Sequence, residues 1–149
     1  MTIQEYMDII TYPNKILDKR AKKVKNPLDL DIQKLIKDMI STMNEANGAG
    51  LAAPQVGQSL RICTIQCEGE VFVLINPKIT AYSREKEINE EGCLSFPGKF
   101  IPIKRSAKIK ARYLNEKGEE TKIKAEGMLA RIIQHETDHL NGILFINRK

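Results

Sequence analysis

Histidine is nearly missing from this chain. Its 149 residues include two, His135 and His139, so any histidine chemistry is confined to one short stretch. Cysteine is almost as sparse: Cys63, Cys67 and Cys93 are three, an odd number. That set excludes a disulfide framework and fits a reducing compartment, the cytoplasm. No apolar run approaches the roughly 18 residues of a transmembrane helix, which excludes a helical anchor in a membrane. The first eight residues carry Glu5 and Asp8 and lack both a basic leader and an apolar core, so no export signal is read there. Repeats, low-complexity tracts and linkers are absent, and the length suits one domain, residues 1–149.

What is present is ordinary for a soluble globular protein, with 42% apolar and 29% charged residues, enough of each for a core and a wet surface. Net charge is 24 − 19 = +5. Basic residues gather at 15–25 and 104–112. Such segments can attract a polyanion such as RNA, but without a nucleic-acid motif or interleaved aromatics solvated surface is the favoured reading, and DNA is not an expected partner.

Residues 31–46 predict a helix. Ile32, Leu35, Ile36, Met39, Ile40 and Met43 fall on one stripe, Asp29 or Asp31 can cap its start, and Asn47-Gly48 supplies a stop. Strand signals run from Leu60 to about Ala125, with hairpins formed by 60–66 with 71–76 and by 107–114 with 121–125. A second helix is predicted over 126–140. Helix, then strands, then helix indicates an α+β domain rather than a doubly wound sheet.

The second helix carries His135-Glu136-Thr137-Asp138-His139, an HExxH run. Residues four apart on a helix stack on one face at about 5–6 Å, so both imidazoles reach one metal ion. Met128, Leu129, Ile132, Ile133 and Leu140 share one half of the helix, and both histidines sit at its edge beside Met128 and Ile132. Glu136 projects into the middle of that half, where a carboxylate is costly unless something uses it. A catalytic metal of this kind takes three protein ligands and leaves one position for water. Only residues 140–149 follow the run, without histidine, cysteine or carboxylate, so the third ligand lies upstream. Cys93 is favoured: it sits in a loop-like segment after Gly92 and shortly before Pro97-Gly98, whereas Cys63 and Cys67 read as core or hairpin residues. A small HExxH peptidase is the competing reading, and the lack of a downstream ligand counts against it. Residues 48–57 superficially fit a dinucleotide-binding GxGxx(G/A) pattern, but they follow a helix and contain Pro54. A backbone that lets a substrate approach, with Gln55 as a polar handle, is more economical.

Together, three segments resemble the peptide deformylases. That family's motifs have the form GxGLAAxQ, EGCLS and QHExDHL, and they stand here in order at residues 48–55, 91–95 and 134–140. The likeness covers essentially the whole chain, from Tyr12, Pro13 and Leu17 to Asn141 and Gly142. It implies antiparallel β-sheets packed around a central C-terminal helix. It also implies one divalent ion held by Cys93, His135 and His139, natively Fe2+ and often Zn2+ or Ni2+ in preparations. Glu136 would take a proton from water and later deliver one to the leaving amine. The Gln55 amide and the Leu94 backbone N–H would stabilise the oxyanion. Gly50 would contact the substrate backbone, while Ala49, Met128, Ile132 and the stem of Arg131 would line the methionine pocket. Asn89 stands where some members carry an apolar pocket residue. Glu91 would pair with Arg105 and steady the Cys93 loop. The implied partners are N-formyl-methionyl nascent peptides, with formate released. The long C-terminal helix that some bacterial members dock on the ribosome is not seen before Lys149, so a ribosome contact would fall to the basic surface.

Overall fold

Helix α1 runs over Leu30–Glu45 because its apolar stripe can be buried along its whole length: Leu35, Ile36, Met39 and Met43 all face the interior. Asp29 caps it, accepting from the Asp31 N–H at 2.9 Å. Asn47 ends it with φ of 53°, a left-handed conformation that asparagine tolerates better than most residues, and the Gly48 N–H closes back on Met43 O at 2.9 Å. This computed structural model describes residues 6–148; Glu5, used above in reading the start of the chain, lies outside the described residues, as does Lys149.

A five-stranded antiparallel sheet follows, in the order β1-β2-β3-β6-β7. Its strands are β1 (Gly50–Ala52), β2 (Ile62–Cys67), β3 (Glu70–Tyr82), β6 (Lys108–Leu114) and β7 (Glu120–Glu126). The two expected hairpins are β2–β3 and β6–β7. Strand β3 continues six residues past the expected end at Asn76. The register shifts between Ile75 and Lys78, a bulge that breaks the alternation on which the shorter assignment rested.

The second sheet is the hairpin of β4 (Lys86–Cys93) and β5 (Phe96–Ser106). It corrects the reading of Cys93 as a loop residue. Cys93 ends β4, paired with Phe96 beyond a register shift after Gly92. The sequence KEINEEGC hides this strand because its buried residue is Glu91, so the usual apolar alternation is replaced by an inward carboxylate.

Helix α2 (Gly127–Leu140) lies between the two sheets. Its apolar side, Ala130, Ile133 and Leu140, packs with Ile65, Leu74 and Ile109 of the large sheet. Full burial of such a side chain contributes roughly 1.5–3 kcal/mol. The histidines were expected at the edge of an apolar half. In fact every residue from Ala130 to Leu140 is buried, because the β4–β5 hairpin covers the polar side as well. No helix among the described residues is long and apolar enough to cross a membrane.

Candidate active site

One turn of α2 brings the two imidazoles together, with ring centres 5.0 Å apart. The end of β4 adds the Cys93 sulfur, 3.2 Å from His139 Nε2. One ligand atom from each of Cys93, His135 and His139 lies within 4.8 Å of the others. A single ion with bonds of about 2.0–2.3 Å can bridge that span. The donor set fits a divalent ion that accepts both thiolate and imidazole.

The orientation of His135 is set from behind. Its Nδ1 lies 2.9 Å from Glu91 Oε1, which turns Nε2 toward the cluster. Glu91 is held by two guanidiniums: Arg105 donates at 2.8 and 2.9 Å, and Arg131 at 2.5 Å. Arg131 also donates to the carbonyls of Ile103 and Glu87, and Arg105 to Asp138, which Arg148 grips from the other side. Burial alone would raise the Glu91 carboxyl, but hydrogen bonds from Arg105 and His135 outweigh it and hold the group at about 2. A carboxyl held below its unfolded value adds stability above the ordinary range near 4.5, and that stability is lost as pH falls toward 2. The midpoint of urea unfolding should therefore drop steeply between pH 5 and 2, and less steeply in a Glu91→Gln variant. Parallel profiles would contradict this account.

For His135, burial works against the charged form, yet hydrogen bonds to Cys93 and Glu91 and the charge of Glu136 push it up to about 10. The surroundings thus favour positive charge at this point, which is what a divalent cation supplies. His139 moves the opposite way, well below its usual value, through burial and then the charges of His135 and Arg105. Neutral imidazole is the ligating form.

Glu136 is 4% exposed, and its Oε1 has no hydrogen-bond partner. Burial raises its carboxyl and the neighbouring His135 charge only partly offsets this, leaving it at about 7. That value suits a group which must both take and return a proton near neutral pH. Gly50 makes room for it: a Cβ there would sit 2.5 Å from Glu136 Oε2 and 2.9 Å from its Cγ and Cδ. We predict that Gly50→Ala displaces the carboxylate and lowers hydrolysis at least about 100-fold with metal content intact, since misplacement by about 1 Å costs that much. A parent-like rate would show that the close approach is unimportant.

Gln55, 1% exposed, is fixed through its Oε1, which accepts from the Ala52 N–H at 2.9 Å. Its Nε2 donates to Ser95 Oγ at 3.1 Å and points at the Cys93 sulfur from 3.7 Å. A cleft of about 560 Å3 opens onto this cluster, between the Gly48–Gly50 segment and the β4–β5 hairpin. Ala49, Gly50, Leu94, Met128, Arg131 and Ile132 all line it, with Met128 59% exposed at the rim. Asn89 is exposed on β4 and does not line the cleft. Sequence reasoning missed the Arg131 guanidinium, Ser95 and the Asp138–Arg148 pair. Arg131, His135 and Asp138 fall at i, i+4 and i+7 on α2, a polar stripe that could have pointed to a buried charged partner.

A buried carboxylate beside a three-ligand cluster, at the foot of an open cleft, defines a metal-dependent hydrolase. The polypeptide deformylase family model matches residues 6–149. The chain is 49% identical to a peptide deformylase of Clostridium botulinum over 141 residues, 95% of each chain. Its structure superposes on the crystal structure of peptide deformylase from Thermotoga maritima with a TM-score of 0.94 at 44% identity, covering 97% of both chains. The Met-Ala-Ser-bound enzyme of Acinetobacter baumannii gives 0.95 at 36% identity, covering 99% of this chain and 100% of that one. The chain belongs to the peptide deformylase family. Its reaction is hydrolysis of the N-formyl group from the terminal formyl-methionine of new polypeptides, and it depends on a divalent metal.

Proposed function

We propose that Cys93, His135 and His139 hold Fe2+ and that Glu136 is the proton carrier of the deformylation. The observation that carries this reading is the buried, unpartnered Glu136 carboxylate beside the ligand cluster. The bound ion supplies charge that polarises the formyl carbonyl and acidifies water. Glu136 removes the proton from the attacking water and passes one to the leaving amine nitrogen, so the formyl C–N bond breaks and formate leaves. The Gln55 amide, held by Ala52 and Ser95, aims a donor at the developing oxyanion, and the Leu94 N–H adds a second. Each such donor is typically worth about 2.7–4 kcal/mol. Strand β1 is an edge of its sheet, which supports binding of the peptide backbone as an added strand. Ala49, Met128, Ile132 and the Arg131 stem would receive the methionine side chain. The Met-Ala-Ser ligand of the Acinetobacter relative supports a peptide led by methionine.

We take residues 1–149 as one catalytic domain working in the cytoplasm, a location that the free thiols Cys63, Cys67 and Cys93 support. Protein loaded with iron without air should release formate from formyl-Met-Ala-Ser and lose that activity on exposure to oxygen, because a thiolate beside ferrous iron is readily oxidised. Nickel-loaded protein should keep its activity. Release of free amino acids in place of formate would overturn the reading.

A further inference from the structure

The outer face of the large sheet carries a grid of cations. Lys78 of β3 stands opposite Arg112 of β6, which stands opposite Lys122 of β7. One step along, Lys110 stands opposite Lys124. Residues directly opposite, or two apart on one strand, point to the same side, and all five are exposed. Neighbours in a row are about 5 Å apart and rows about 7 Å apart. Like charges placed directly opposite each other destabilise a sheet. Among the described residues none of the five has an ion pair; the pair on that face, Lys108 with Glu126 at 3.8 Å, lies beyond them.

Lys78, Arg112 and Lys122 also border a groove of about 1110 Å3, to which Arg20, Lys23 and Arg61 contribute, with Glu120 as its one carboxylate. Thr137, 7% exposed, lines the same groove, and its hydroxyl is without a partner. The linear sequence scatters these cations over some hundred positions, and only the β3–β6–β7 register gathers them. No residue lines both this groove and the catalytic cleft, so both can be occupied at once.

We propose that the Lys78–Arg112–Lys122 row and the adjoining groove bind the phosphate backbone of RNA. The opposed cations need closely spaced anions to offset their repulsion, and a nucleic-acid strand presents a regular series of single charges. Lys78, Lys110, Arg112, Lys122 and Lys124 offer no apolar anchor of the kind that holds a protein at a lipid surface.

The test is fluorescence anisotropy with an unstructured 20-nucleotide RNA, titrated between 50 and 200 mM salt. Arg112→Glu/Lys122→Glu should bind at least tenfold more weakly than the parent, with a log–log salt slope lower by about two. Lys15→Glu/Lys37→Glu, which makes the same change in net charge at exposed residues outside both the row and the groove, should stay within threefold of the parent. Formate release from a short peptide should be unchanged in both variants, which separates this inference from the catalytic assignment. Arg112→Glu/Lys122→Glu should melt no lower than the parent, because Lys78 then faces a carboxylate. Equal losses in the two variants would reduce the effect to net charge and overturn the proposal. So would parent-like affinity in Arg112→Glu/Lys122→Glu, or tighter binding to phosphatidylserine vesicles than to RNA.

Discussion

Replacing Glu136 by alanine should lower formate release from formyl-Met-Ala-Ser by about two to four orders of magnitude, the range a positioned proton carrier contributes. The metal should stay bound at parent stoichiometry, because Glu136 is outside the ligand cluster. Stability should move the other way. The carboxylate is 4% exposed with an oxygen lacking any partner, a placement that costs folding energy. The alanine variant should therefore melt no lower than the parent, and higher if relief of that cost exceeds the lost packing. A residue retained purely for structure would give the opposite pattern, a fall in midpoint with little change in turnover. Equal turnover in parent and variant would remove Glu136 from the mechanism.

Cys93→Ala should abolish metal binding, whereas Cys63→Ala and Cys67→Ala should each retain one equivalent. The three thiols differ in surroundings rather than chemistry. Cys63 is fully enclosed in the core, and burial, followed by the charge of Glu136, pushes its thiol far up, so it stays protonated. Cys67 ends β2 and is also raised, chiefly by burial and then by Glu68. Cys93 alone faces the imidazoles. Metal analysis after dialysis distinguishes the three, and a stoichiometric ion in the Cys93 variant would refute the ligand assignment. Loss of activity should follow loss of the ion in the same variant.

The parts of the molecule legible in sequence are those whose information is local. Helix α1 announces itself through an apolar stripe and an aspartate cap, and its observed ends differ by one residue from the expected 31–46. The spacing of His135 and His139 needs nothing beyond helical geometry. The β4–β5 hairpin was not legible, because its packing is carried by Glu91 and Arg105 rather than by alternating apolar residues. Likewise the polar stripe of Arg131, His135 and Asp138 hints at a buried charge but not at which residue carries it: the Glu91 carboxylate lies 40 residues from Arg131. Of that network, the Glu91–Arg105 pair came from family resemblance; Arg131 and Asp138 required the folded chain.

The hairpin that delivers Cys93 buries little oil. Strand β4 encloses only Glu91, and β5 encloses just Phe96 and Ile103 among its apolar side chains. It is seated on α2 largely by charge, with Cys93 at its tip and the imidazoles on the helix. An ion shared by Cys93 and His135 would join positions 42 residues apart (135 − 93) and so would act as a removable cross-link closing a long loop. Metal occupancy would in that sense be a mechanical property of the protein, setting how firmly one wall of the substrate cleft is stapled to the helix at its centre.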